Sequence, residues 1–189
     1  MAKVGNEAIN TEKMRKHQLM KYLQQKEHTP REPIDICRET NGVDLVQSTI
    51  LNASPSYGSL EHVLVNSLSS ASAVVSDVDH QMIVKIFFKQ PTKVFALTIN
   101  SQMPPDIADC LPPKIIQVYG DLPEFDFSEV DNTPIGDQTI ITDKNLIDRA
   151  TLKGSKFQRV TSLILFIQEN LGKAKLTFIN NIVVWGYLH

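Results

Sequence analysis

The sequence predicts an all-β domain, a sandwich or barrel, carried behind a short helical arm. Two observations point there. The runs IVKIFF, KVFALTI, KIIQVY, TSLILFI and KLTFINNIVVWGYL are rich in β-branched and aromatic residues and are bounded by Pro, Gly, Asp and Asn. No helical segments alternate with them, which excludes a βαβ architecture. With 189 residues, of which 42% are hydrophobic and 21% charged, the chain is long enough to bury a core without disulfide or metal staples.

Residues 1–33 form the arm and its linker. Seven Lys/Arg stand there against four Glu, so the arm is +3 and the remainder of the chain is −5. Neither Gly nor Pro interrupts residues 6–25, and Leu19, Met20, Tyr22 and Leu23 make a short apolar stripe at helical spacing. Such a basic amphipathic helix suits a membrane surface or a partner groove, but docking of its stripe on the domain is the plainer expectation. Thr29-Pro30 and Glu32-Pro33 end it, because the residue before proline is pushed out of the α region.

Residues 34–189 are expected to form the domain. Its first forty positions are weakly patterned. In the next run Met82, Val84, Ile86 and Phe88 share one face by alternation, with Ile83, Lys85 and Phe87 on the other, and the strand is expected to end before Pro91. In the following run Phe95, Leu97 and Ile99 oppose Val94, Ala96 and Thr98. The stretch 142-TDKNLIDRA-150 reads as a helical turn with Thr142 or Asp143 as N-cap. The continuous apolar run 163-LILFI-167 predicts a central strand covered on both sides, by the arm or by long loops. Asn180-Asn181 predicts a bulge or bend in the last strand.

The net charge of −2 argues against broad capture of nucleic acid. No apolar run reaches the length that spans a bilayer, the N-terminal residues are too charged for a secretory signal, and Cys37 and Cys110 are lone cysteines. The expected compartment is therefore cytoplasmic or nuclear, with free thiols. Glycine-rich phosphate loops, GxSxG and HExxH are absent, so no cofactor or catalytic set is expected. Asp77, Asp79 and His80 in SDVDH are metal-binding residue types. Alternation, however, sends His80 away from the two aspartates, and turn-capping carboxylates account for the pattern more simply. The acidic stretch 121-DLPEFDFSEVD-131 reads as a loop with a helical turn. The loop 103-MPPDIADCLPPK-114 is too long for a hairpin and stiffened by two Pro-Pro pairs. It either docks a partner through Met103, Pro104 and Leu111, with Phe125 and Phe127 of the neighbouring stretch, or merely closes one end of the sandwich.

Several stretches in register resemble the PITH domain family, the C-terminal module of proteasome-interacting thioredoxin-like proteins. They are 76-SDVDHQMIVKIFFKQPTKVFALTI-99, 113-PKIIQVYGDLPEFDFSEV-130, 156-KFQRVTSLILFIQENLGKAKLTFINNIVVWG-186 and, more faintly, 51-LNAS-54. The resemblance covers about residues 44 to 186 and departs from the family pattern at Val75, His80 and Asp121. It implies a jelly-roll β-sandwich of the galactose-binding-domain-like kind. It also implies a non-catalytic protein-interaction module, with proteasome subunits as the partner the family suggests. No thioredoxin domain and no CxxC precede the module in this chain, so redox activity is not carried over. Two rivals stand beside that reading: a sugar- or small-ligand-binding jelly roll, and a metal-dependent hydrolase using Asp77, Asp79 and His80.

Overall fold

The computed structural model of the chain describes Arg15, Lys16, Gln18, Met20 and residues 32–65, 72–122 and 124–189. The chain divides into two units, Met1–Glu32 and Pro33–His189. In the first, Arg15, Lys16, Gln18 and Met20 are helical. The rest of the expected 6–25 helix, including Leu19, Tyr22 and Leu23, lies outside the described residues.

The second unit is built almost wholly of strands. In chain order these are β1 (Ile34–Asp35), β2 (Thr49–Leu51), β3 (Val74–Val75), β4 (Met82–Asn100), β5 (Cys110–Leu111), β6 (Pro113–Gly120), β7 (Gln138–Ile141), β8 (Leu146–Thr151), β9 (Val160–Asn170), β10 (Leu176–Ile179) and β11 (Asn181–Leu188). A six-residue helix, Leu60–Val65, lies between β2 and β3. Its segment reads in the sequence as one more short apolar piece. Ser59 precedes it, and the imidazole of His62 accepts from the Ser59 N–H at 3.2 Å, taking the place that Glu or Gln holds in a capping box.

β4 organises the unit. Its first half pairs with β9 on one side and β2 on the other, and its second half pairs with β11 and β8. The strand thus passes from one layer, β2-β4-β9-β6-β7, into a second, β1-β11-β4-β8. One core cluster lies between them and draws Met82, Val84, Ile86 and Phe88 from the first half and Val94, Leu97 and Ile99 from the second. A third sheet, β3-β10-β5, is tied to both ends of β4. Thr177 Oγ1 donates to the His80 carbonyl, and the Asn180 N–H donates to the Asn100 carbonyl.

Two expectations about β4 are corrected. The strand does not end before Pro91. Pairing with β9 jumps from Phe87–Ser162 to Thr92–Val160, so Pro91 sits where no ladder donor is required, and its carbonyl accepts from the His189 N–H. The alternation 95, 97, 99 also fails. Ala96 opposes Trp185 and Val94 opposes Gly186, which leaves Phe95 as an extra residue. That bulge puts both Val94 and Leu97 in the core and leaves Phe95 half-buried.

The 142–150 helical turn is likewise corrected. Residues 146–151 are strand β8, and Thr142 Oγ1 accepts from the Lys144 N–H in the turn before it. Leu97 pairs with Ala150 and Ile99 with Ile147, so Asp148 and Arg149 together oppose Thr98. This second bulge interrupts the period of two that would have marked a strand. At Asn180 the chain leaves the small sheet and joins the large one, which accounts for the polar pair inside an apolar run.

The run 163-LILFI-167 is covered on both sides. Leu163, Leu165 and Ile167 face the main core, while Ile164 and Phe166 join Ile83, Tyr119 and Phe125 in a second cluster. A long loop supplies that cover: Leu122, Phe125 and Val130 roof the sheet, with the Phe125 ring 5.0 Å from Tyr119 and 5.9 Å from Phe166. Asp121 starts the loop at φ 52°. Its Oδ1 accepts from the Thr161 N–H, the Thr161 hydroxyl and the Ser162 N–H. Asn and Asp are the non-glycine residues most tolerant of that conformation.

Truncating the buried anchor should therefore separate from truncating its exposed neighbour. Phe125→Ala is expected to cost about 3–5 kcal/mol in chemical denaturation. Phe127→Ala should cost less than about 1 kcal/mol, the range of exposed positions.

Candidate functional site

The 76–81 turn is held by a residue from outside it. Asn52, in the LNAS stretch, adopts φ 61°. Its side-chain oxygen accepts from the Val78 N–H at 3.0 Å. Its amide donates to the Asp79 carboxylate at 3.0 Å and to the Gln81 carbonyl at 2.6 Å, while its backbone carbonyl accepts from Asp77. Asp79 Oδ1 also accepts from the Gln81 N–H at 2.9 Å. Two of the stretches that carry the family resemblance therefore meet as one hydrogen-bonded corner. Nothing in the sequence announced that pairing beyond Asn being a residue that tolerates a left-handed turn.

This arrangement makes Asp79 a turn residue. His80 turns aside into a separate cleft of about 240 Å³ with Glu169, Asn170 and Lys173. Among the described residues, no group of three or more His, Cys, Asp or Glu side chains is placed to hold a metal ion. What the corner does expose is apolar. Val78 is 73% exposed and Phe127 39%, and they line an open cleft of about 420 Å³ with Leu51, Asn52 and Asp79.

The proline-rich loop is stapled to the end sheet. Asn180 accepts from the Met103 N–H at 3.0 Å and donates to the Met103 carbonyl at 2.9 Å, while the Ser101 hydroxyl donates to the Phe178 carbonyl. Ile107 packs on a small cluster of Ala73, Val75, Cys110 and Phe178. Asp109, at φ 57°, reverses the chain into β5. The loop thus closes the end of the sandwich and also presents side chains: Pro104 is exposed, Met103 is 36% exposed and Leu111 37%. Of the five residues expected at a docking surface, these three ride on the loop and Phe127 sits at the 76–81 corner. Phe125, at 1% exposure, is the correction. Its ring completes the second core cluster, so it packs the fold and offers no surface to a partner. Alternation would put Phe125 and Phe127 on one face, but in this irregular loop residues two apart do not share one.

Both cysteines are free and buried. Burial, reinforced by the charge of Asp35, pushes the Cys37 thiol up to about 12, and burial with Asp109 pushes Cys110 up to about 11. Neither is a nucleophile at neutral pH.

These features define a class: a jelly-roll β-sandwich of the galactose-binding-domain-like kind, with clamped end loops. The C-terminal domain of a chitobiase from Bacteroides fragilis superposes with a TM-score of 0.56 at 10% identity, over 84% of this chain and 99% of that domain. The family 32 carbohydrate-binding module from Streptococcus pneumoniae EndoD gives 0.52 at 14% identity, over 76% and 97%. At such identities the likeness is one of fold. Residues 40–189 match the PITH domain, and the chain belongs to that family. Thioredoxin-like protein 1 of Schizosaccharomyces pombe is similar as well, 28% identical over 132 residues. The match covers 67% of this chain and 44% of that protein, so the chain spans less than half of that relative's length.

Two outcomes follow from the clamped corner and the buried thiols. Asn52→Ala should lower stability by about 1–3 kcal/mol, the cost of orphaned hydrogen-bond partners, and should speed amide exchange at Val78 and Gln81. At pH 8 a thiol reagent should label the native protein about a hundredfold more slowly than the denatured chain. The native state keeps protons that the unfolded thiols lose, so this contribution to stability is complete below pH 9 and falls as pH rises from 9 toward about 11 for Cys110 and about 12 for Cys37.

Proposed function

We propose that this PITH domain is a non-catalytic protein-docking module of the cytoplasm or nucleus, and that the assembly it docks on is the proteasome. The observation that carries the docking reading is the state of Met103. Its backbone is fixed at both N–H and C=O by Asn180, yet its side chain stays one-third exposed beside Pro104. An apolar side chain on a loop already ordered loses little further entropy on binding, which is how a small surface gains affinity. Leu111, on the same loop, extends the apolar surface. In the two acidic stretches, the carboxylates of Asp79, Asp121 and Asp126 are engaged in turns. The named partner rests on the family resemblance.

Capture of the tagged protein from cells should recover proteasome subunits. The double variant Met103→Asp, Leu111→Asp should recover about tenfold less, since buried apolar anchors dominate such contacts. Captures that repeatedly bring down other proteins and no proteasome subunit would reject the partner. Undiminished recovery with the double variant would reject the loop. A glycan array should be flat; saturable binding of one sugar there would favour a carbohydrate-binding module instead.

A further inference from the structure

A second surface lies on the outer face of the other layer. Val184 and Leu188 of β11 turn toward the core, so the odd positions Trp185 and Tyr187 turn outward. Arg149 of β8 stacks on the Trp185 ring with its guanidinium carbon 4.1 Å from the ring centre, and Lys93 of β4 places its ammonium 5.6 Å from the centre of Tyr187. Neither cation is in an ion pair: those among the described residues are Arg38–Asp35 and Lys114–Glu169.

The Arg149–Trp185 stack is built, not incidental. The bulge opposite Thr98 re-aims Arg149, whose backbone sits at φ 43°, an unfavourable region for a long side chain. The Thr98 hydroxyl holds the parts in place. It accepts from the Arg149 N–H and from Trp185 Nε1, both at 3.0 Å, and donates to the Asp148 carboxylate at 3.4 Å. One donor and two acceptor sites are all that a hydroxyl has. The stacked guanidinium keeps its edge for a planar anion, which it grips through two parallel hydrogen bonds.

We propose that this face binds an extended acidic peptide segment of a partner protein, with one carboxylate on Arg149 and a second on Lys93. The inference rests on the reading of the domain as a protein-docking module and adds a surface separate from the Met103 loop. Trp185 and Tyr187 are two residues apart on one strand, about 7 Å, which is also the spacing of side chains i and i+2 in an extended peptide. Acidic residues at alternate positions therefore fit both cations together. A nucleic acid fits less well. Its phosphates would run on past the patch, over a chain that carries a net −5 outside its arm.

Trp185 is the single tryptophan, so its emission reports the site directly. The full chain is titrated with a blocked heptapeptide of Gly, Ser and Glu bearing Glu at alternate positions. Controls are the same peptide with Gln for Glu and a single-stranded decamer of uridines. A saturable change below about 1 mM with the Glu peptide is expected, weakening as salt rises. The Gln peptide should give none. Arg149→Gln should bind about tenfold more weakly, the loss of one charge-assisted pair, and Arg149→Lys should fall between. If Arg149→Gln unfolds, Lys93→Gln gives the same comparison. No response to the Glu peptide, an equal response to the Gln peptide, undiminished binding by a folded variant, or tighter binding of the uridine decamer would each overturn the site. A failed titration beside a successful capture rejects this site alone, and a failed capture beside a successful titration rejects only the proteasome partner.

Discussion

The rest of the domain depends on a single strand being hydrogen-bonded in both layers. Because β4 passes from the β9 sheet into the β11 sheet, neither layer can move relative to the other without breaking its ladder. The two bulges set the consequences. Phe95 on β4 shifts the phase, so that Val94 and Leu97 both reach the core, and Asp148-Arg149 on β8 does the same on the opposite edge. The first bulge brings the Lys93 carbonyl so close to β11 that a Cβ at Gly186 would collide with it, and only glycine fits there. Packing, register and the outward aromatic face are thus one problem with one solution.

The polar residues follow a common rule. Asp35 accepts from the backbone of Cys37 and Arg38 while pairing with the Arg38 guanidinium, which in turn reaches the Ile182 and Val63 carbonyls. That ties the short helix to β11. Asp44, Asp79, Asp121 and Asp126 each accept backbone N–H groups in turns, and for Asp126 the Ser128 hydroxyl and N–H hold the carboxyl below its ordinary range. Asn52, Asn170 and Asn180 join segments far apart in sequence or close tight loops with both ends of their amides. In a fold with so many connections, side chains supply the bonds that loop backbones cannot find in a ladder.

Much of this architecture was legible where one physical signal dominated. Alternation in 82–88 placed Met82, Val84, Ile86 and Phe88 on the core face, and the unbroken 163–167 run marked a strand covered twice. Proline at 91 misled because its effect depends on whether a partner strand asks for its N–H, which is a fact about β9 and not about β4. LIDRA hid a strand because a bulge erases the period of two. The Thr98 hub and the Asn52 clamp were illegible for another reason: each joins residues that neighbour one another only after the layers have folded. Of the residues expected at a surface, Phe125 and Phe127 have the same side chain two positions apart. Their fates differ because one finds Tyr119 and Phe166 beneath it and the other does not.

The double membership of β4 also governs when the domain can form at all. Its partners β9 and β11 begin sixty or more residues after β4 itself ends, at Val160 and Asn181 against Asn100. A ribosome that has finished β4 has made a long apolar strand of whose partners only the short β2 yet exists. Local pairing cannot rescue it, since loop closure over such distances must precede any reward from contact. Apart from the three-residue β2 and, later, β8, the central strand has no partner until β9 emerges, and its second layer cannot close before β11. Until then it is the segment most exposed to pairing with other chains. The domain folds late and as a whole, and loss of β11 would undo strands made a hundred residues earlier.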